Sequence, residues 1–272
     1  MLRLPDARLA ACLGDPHAPR AASPGRLCGL DRDTARAQLE RLKPWLIEQQ
    51  ALLWARRREA LLVWLQGPDC AGKDGAIRRV FSGFNPLGLH VHCFRQPDAT
   101  ERAEGFLERY RRCLPRPGEI ALFNRCPYEG VACDLFDGFI DATQLPGRLA
   151  QLAAFEDGLA GRGIRLLKVY LQISRDEQKA RLRKRLLDPR KHWKLGAEDL
   201  EAHRQFEQRE THWAGLLAAS QRPQAPWHLL PADHKWLRDL LLASLVAREF
   251  EALDQHWPSP PLPFGLTELE RA

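Results

Sequence analysis

The chain has 272 residues, 44% of them hydrophobic and 28% charged, with a formal net charge of +6 and a pI of about 9.1. That length supports one large α/β domain, or one domain with a small cap. The mild basic excess favours an anionic partner and leaves nucleic acid, acidic lipid and phosphorylated metabolites open. Seven scattered cysteines without a Cys-x-x-Cys pair argue against a disulfide framework or a closed zinc site, and for a reducing compartment. No stretch approaches the roughly 18 apolar residues of a membrane span. Asp6 and Arg8 interrupt the N-terminus before a secretory signal can form. A soluble, cytoplasmic protein is expected.

Residues 1–27 are rich in Ala, Pro and Arg without a sustained period, and read as an extended arm (1–29). Asp31 and Asp33 are capping candidates for a helix from Thr34 to Arg58, with Leu39, Leu42, Trp45, Leu46, Leu52 and Leu53 at helical spacing and Pro44 as a point of kinking or splitting. Leu61-Leu62-Val63-Trp64-Leu65, closed by Gly67, is a buried strand of the parallel-sheet kind. A helix follows Lys73, Asn85–Gly88 turns, and Leu89–Phe94 is a strand. In that strand His90 and His92 share one face beside Cys93, and with no second ligand pair nearby they do not read as a metal site. Asp98 caps a helix to about Cys113, and Ile120–Phe123 is the third strand. Helix covers Leu145–Leu159, Leu166–Ile173 and Trp227–Leu230 are strands, and a long helix runs from Asp233 to Leu253. The tail, 256–272, is rich in proline. Strands alternating with helices make an α/β fold, a parallel sheet with helices on both faces.

Three segments carry chemistry. Gly67-Pro68-Asp69-Cys70-Ala71-Gly72-Lys73 fits G-x-x-x-x-G-K between a buried strand and a helix, and marks Gly67–Gly75 as a phosphate-handling loop. Glycine lets backbone N–H groups fold around phosphate oxygens, the helix N-terminus adds positive potential, and Lys73 adds a mobile cation. Position 74 is Asp where nucleotide-binding loops carry a Ser or Thr ligand to Mg²⁺, so the metal role passes to Asp69. Asp74 either shares it or is an acid in the first turn of the helix. The second segment, Phe123-Asn124-Arg125, ends the third strand, where Arg125 reaches phosphates or sits in a buried salt bridge. The third, Lys179–Arg185, holds five basic residues and no acid. Arg181 and Arg185 repel at i,i+4 by about 0.2–0.5 kcal/mol, a cost a polyanion recovers. With Arg190, Lys191 and Lys194 the stretch 174–196 reads as a lid.

Together these segments resemble the second family of polyphosphate kinases, the polyphosphate:nucleotide phosphotransferases, from about Leu30 to Leu253. The loop Gln66–Gly75 is similar to that family's Gln-Gly-x-Asp-x-x-Gly-Lys-Asp-Gly. Gly83-Phe84-Asn85-Pro86, Asn124-Arg125 with Tyr128-Glu129, Gln172-Ile173-Ser174, Asp188-Pro189, Lys191-x-Trp193-Lys194 and Ala225-Pro226-Trp227 also match. The resemblance implies a P-loop kinase-like fold with a helical lid, occupying 30–255. It also implies Mg²⁺-dependent phosphoryl transfer from inorganic polyphosphate to a purine nucleotide, AMP or ADP, in a homo-oligomer. It carries over Asp69 as metal ligand, Lys73 and Arg125 with Asp74 as catalytic groups, and Arg181, Arg185, Lys191 and Lys194 as donor contacts on the lid. Gly67, Ala71, Gly72, Gly75, Asn124, Tyr128 and Glu129 are expected phosphate or nucleotide contacts.

Three departures stand out. The family's Ser-His-Tyr-Glu-Asp is Cys126-Pro127-Tyr128-Glu129-Gly130, a His-Asp pair before Phe106 is Glu104-Gly105, and a Thr-Ser-Thr is Ser220-Gln221-Arg222. All three are expected on the acceptor side. They motivate a second reading, a catalytically impaired polyphosphate-binding protein; the loop alone also permits an ATP-dependent kinase of a small metabolite. Nucleic-acid binding is disfavoured, because no basic stripe interleaved with aromatics is present.

Overall fold

The computed structural model describes residues 2–272. Helix α1 (Asp6–Cys12) is followed by α2 (Arg32–Arg56), β1 (Ala60–Gln66), α3 (Lys73–Val80) and β2 (Leu89–Cys93). Next come α4 (Ala99–Glu104), α5 (Glu108–Arg111), β3 (Ile120–Asn124), α6 (Glu129–Phe136), α7 (Leu145–Ala160) and β4 (Ile164–Gln172). The chain ends with α8 (Arg175–Leu186), α9 (Ala197–Arg204), α10 (Phe206–Ala219), β5 (Trp227–Pro231), α11 (Lys235–Glu251) and α12 (Leu266–Glu270). The five strands form one parallel sheet in the order β2-β3-β1-β4-β5. Strand β1 is central, and its seven residues are all buried.

The sheet separates two apolar cores because successive strand side chains point to opposite faces. Leu61, Val63 and Leu65 of β1 pack with α1, α2, α3 and α11 on one face. Leu62 and Trp64 pack with α5, α6, α7 and α10 on the other. Each fully buried Leu contributes about 1.5–3 kcal/mol, so the two layers together anchor β1 and the loop that leaves it.

Four local expectations change. Pro44 lies inside α2, which runs unbroken from Arg32 to Arg56, capped by the Asp31 carboxylate. Leu39, Leu42, Leu46 and Leu53 of α2 pack in the same core as α11, and that burial outweighs the roughly 3 kcal/mol that proline costs a helix interior. The helix expected from Asp98 to Cys113 is divided into α4 and α5 at Gly105, whose φ of 102° no helix accommodates. The expected extended arm contains α1, and Leu4, Leu9 and Cys12 join the core while Gly14 N–H bonds Leu229 O at 2.8 Å, covering the edge of β5. Residues 197–219, unassigned from periodicity, form α9 and α10.

Strand β4 carries a lysine into the second core. Lys168 Nζ donates to both carboxylate oxygens of Glu156, at 2.9 and 3.1 Å, and Tyr128 Oη donates to Oε1 at 2.9 Å. Burial raises the Glu156 carboxyl and lowers the Lys168 ammonium, and their mutual attraction opposes both shifts. Lys168→Met leaves a buried carboxylate without its main partner and is expected to destabilise by about 3 kcal/mol. Adding Glu156→Leu to that variant should recover most of the loss. Urea unfolding of the single and double variants checks this; a single variant within about 0.5 kcal/mol of the parent would contradict it.

Candidate active site

Parallel strands place all their C-terminal ends on one edge of the sheet, and β1 lies where the strand order reverses between β3 and β4. The loop after β1 begins at Gly67, with φ of 145°; a Cβ there would approach Leu171 O to 2.6 Å. It ends at Gly72, with φ of 97°, which passes directly into α3 at Lys73. Only glycine fits both places.

Lys73 is buried, and its Nζ donates to Gly67 O at 2.6 Å and Pro68 O at 3.2 Å, across the mouth of the loop. Burial lowers its ammonium pKa and Arg125 lowers it further, while Asp69, Glu129 and Asp74 oppose. Asp69 accepts from Arg125 Nη2 at 3.0 Å. Burial alone raises its carboxyl, but Lys73 and Arg125 outweigh that and hold it below the usual carboxylate range. Arg125 itself has φ of 72°, a left-handed conformation costing about 1–2 kcal/mol. Its N–H bonds Leu65 O at 3.0 Å, and the turn aims the guanidinium between Asp69 and Glu129, the latter at 3.7 Å. Glu129 raises Arg125 above its ordinary value, so it stays charged.

Polar residues of the surrounding elements hold this set. Gln66 donates to Glu129 Oε1 at 2.6 Å and accepts from Cys126 N–H at 3.2 Å. Gln178 Nε2 donates to Asp69 O at 3.0 Å. Asn124 Nδ2 donates to Asp74 Oδ1 at 2.7 Å, and Lys194, beyond α8, donates to Asp74 Oδ2 at 3.3 Å. These two donors pull the Asp74 carboxyl down against the burial that raises it. Beside the cluster lies a cavity of about 990 Å³, bounded by Asp69, Phe94, Phe106, Arg125, Glu129 and Arg209. Among the described residues no three His, Cys, Asp or Glu side chains form a metal cluster. Asp69, ionised and bearing hard oxygens, fits the way Mg²⁺ is held by one or two carboxylates together with substrate phosphates.

Asp69, Lys73, Asp74, Asn124, Arg125, Glu129 and Lys194 are therefore brought together, around a loop that holds Gly67, Ala71 and Gly72, with Gly75 in the first turn of α3. Four expected residues make their contacts elsewhere. Tyr128 is 1% exposed, with its hydroxyl on Glu156 and its ring edge against Trp227. Arg181 lies behind the loop, bonded to its carbonyls. Lys191 pairs with Asp188 at 2.8 Å. Arg185, in the last turn of α8, lies 3.8 Å from Asp199. Arg238, absent from every sequence motif, reaches Ala71 O from α11 at 3.3 Å. The Arg238-Asp239 pair ahead of the apolar run Leu240–Leu242 of α11 gave the only signal.

The departures separate as well. Phe106 packs on Gly130, where a Cβ would meet its ring at 2.8 Å, so an acid at 130 has no room unless the ring moves. Ser220 and Gln221 bond Trp227 at the start of β5, on the sheet edge opposite the loop. That substitution is remote from the phosphate end.

A family model described as Polyphosphate kinase 2 (PPK2) matches residues 29–257. The chain belongs to the polyphosphate kinase 2 family. It is 35% identical over 256 residues to the AMP/ADP-polyphosphate phosphotransferase of Meiothermus ruber, covering 94% of each chain. It is 34% identical to the ADP-polyphosphate phosphotransferase of Rhodopseudomonas palustris, covering 82% of this chain and 80% of that one. Among solved structures, Polyphosphate Kinase 2 from Arthrobacter aurescens superposes with a TM-score of 0.85 at 30% identity, over 99% of this chain and 94% of that one. The P-loop kinase-like parallel sheet expected from the resemblance is the fold of this family member. No described helix is long and apolar enough to cross a membrane.

Tyr128→Phe removes a hydrogen bond to a charged acceptor and is expected to cost about 1.5–3 kcal/mol of stability. Because the ring lies in the core, the KM for nucleotide should stay within about twofold of the parent. Denaturant melts and steady-state kinetics check the two together; a nucleotide KM raised about tenfold at unchanged stability would return Tyr128 to the site.

Proposed function

We propose that this protein transfers the terminal phosphoryl group of inorganic polyphosphate to a nucleoside mono- or diphosphate, with AMP and ADP as acceptors. One observation carries the reading: Asp69, Lys73 and Arg125 converge at the ends of β1 and β3, on the rim of a cavity large enough for a nucleotide. The names of its relatives point the same way.

An oxygen of the acceptor's terminal phosphate attacks the last phosphorus of the donor chain, and the P–O bond to the rest of the chain breaks. The shortened chain leaves with that electron pair, so charge moves but no proton is needed. Such transfer depends on positioning and charge neutralisation rather than on a covalent intermediate. Lys73, already close to the loop mouth, swings from the carbonyls of Gly67 and Pro68 to the transferring group. Arg125, fixed by Asp69 and Glu129, holds acceptor phosphate oxygens. Asp69 would hold Mg²⁺ together with the phosphates, and the ion would supply further charge neutralisation. Arg185, Lys191 and Lys194 bring the segment 174–196 down on the donor chain and exclude water.

With ADP, long-chain polyphosphate and Mg²⁺, ATP is the expected product, followed by luciferase luminescence. No product with AMP, ADP, GMP or GDP would sink the reading, and binding of polyphosphate without turnover would leave a binding protein. Faster turnover with ATP as donor to a small metabolite would make it an ordinary kinase. Lys73→Met should lower kcat by about 10²–10³-fold while circular dichroism is unchanged. Asp69→Asn should raise the Mg²⁺ concentration needed for half-maximal rate; an unchanged requirement removes Asp69 from the metal role.

A further inference from the structure

The phosphate loop has a back, and two arginines occupy it. Arg181 is 6% exposed, and its guanidinium bonds five protein acceptors. Nε donates to Glu177 Oε1 at 2.7 Å, Nη1 to Cys70 O at 2.9 Å and Ala71 O at 3.0 Å, and Nη2 to Ala232 O at 2.6 Å and Asp233 O at 2.8 Å. A guanidinium has five N–H donors, so all are committed. Arg238 enters from α11, with Nη1 on Ala71 O at 3.3 Å and Nε on Asp239 Oδ1 at 2.9 Å. The second Asp239 oxygen accepts from Arg79 at 3.2 Å. Arg238 Nη1 also stands where a Cβ at position 72 would lie.

The geometry points to Arg181 and Arg238 as positioning residues for phosphoryl transfer, acting through the loop backbone rather than on the donor chain. This rests on the reading of Gly67–Gly75 as the transfer site. A trans peptide is planar, with its C=O and N–H pointing in opposite directions. Fixing Ala71 O on two guanidinium groups therefore turns the N–H of Gly72 away from them. Cys70 has φ of 67°, a strained conformation that persists only when the surroundings over-determine it. The bond from Arg181 to Cys70 O supplies that constraint. The same side chain ties the first turns of α8 to the loop and to the end of β5, so the lid segment is rooted at Arg181.

A donor-gripping role for Arg181 is opposed by the same geometry. Turning it to a polyphosphate would strand the carbonyls of Cys70, Ala232 and Asp233 and leave that of Ala71 to Arg238 alone, each stranded buried acceptor costing about 1–3 kcal/mol. Glu177 and Asp239 offset the two guanidinium charges, which lets two cations share the carbonyl of Ala71. The donor chain is left to the more exposed cations of the lid, Arg185, Lys191 and Lys194.

The test compares Arg181→Lys and Arg238→Lys with Arg185→Gln, using ADP and either long-chain polyphosphate or tripolyphosphate. Lysine keeps the charge but has three donors instead of five. Both lysine variants should lose kcat by about 10²-fold, the scale of an ångström-level misplacement. Their KM for polyphosphate should stay within about twofold. Arg185→Gln should instead raise that KM, more for the long chain than for tripolyphosphate. Amide hydrogen exchange over residues 68–76 should quicken in both lysine variants and not in Arg185→Gln. Arg181→Lys with kcat retained and a KM about tenfold higher would make Arg181 a donor contact and overturn the proposal. So would unchanged exchange over 68–76, a readout that decides even if the parent protein transfers no phosphate.

Discussion

The site depends on β1 being held along both edges. Its residues pair with β3 from Leu61 to Leu65 and with β4 from Ala60 to Gln66, and both faces are sealed by apolar layers. A strand so constrained ends at a fixed point, and the loop leaving it must turn at once. Leu171 O on β4 leaves no space for a side chain at Gly67, so the loop begins against a neighbouring backbone. Arg125, one residue past β3, turns back by the same logic, its N–H on Leu65 O. The Asp69–Arg125 contact is thus a consequence of strand register: two adjacent strand ends deliver opposite charges to one place.

How much of this was legible in the sequence follows from the range of each signal. The apolar run Leu61–Leu65 and the glycines around Lys73 are local, so β1, the loop and α3 could be read directly. Asn124 and Arg125 were legible because a strand end in a parallel sheet has one destination. Residue pairs distant in sequence were not. Tyr128 and Glu129 are neighbours in one motif, yet Tyr128 turns into the core against Glu156 and Glu129 turns to Arg125. No periodicity distinguishes them, since the partner that decides each is supplied by another element. Pro44 misled for a related reason: helix propensity is a local cost, and the burial that overrides it comes from α11.

Arginine 181 shows how charge patterning can mislead about role. A cluster of five basic residues between Lys179 and Arg185 reads as one anion-binding face. On a helix, however, successive residues are about 100° apart, so the cluster cannot act on a single side. Arg181 faces inward, and four of its five acceptors are backbone carbonyls, which no sequence motif encodes because every residue has one. Arg185 lies four residues on but only partly buried, and its nearest acid is Asp199. The helix therefore divides its charge between holding the loop and meeting solvent.

That division also explains how a loop built from strained residues can stay ordered. Cys70 and Arg125 are both left-handed without being glycine, and each costs about 1–2 kcal/mol. Neither conformation is supported by its own side chain alone. Cys70 is held through its carbonyl by Arg181, and Arg125 through its amide by β1 and its guanidinium by Asp69 and Glu129. The strain is offset by charge-assisted hydrogen bonds, which are stronger than neutral ones, and those from Arg181 to the loop are buried. The loop Gly67–Gly72 thus draws its rigidity from cations on both sides of it. Those in front, Lys73 and Arg125, are the ones the proposed function assigns to the substrate phosphates. Those behind, Arg181 and Arg238, hold the backbone that presents it.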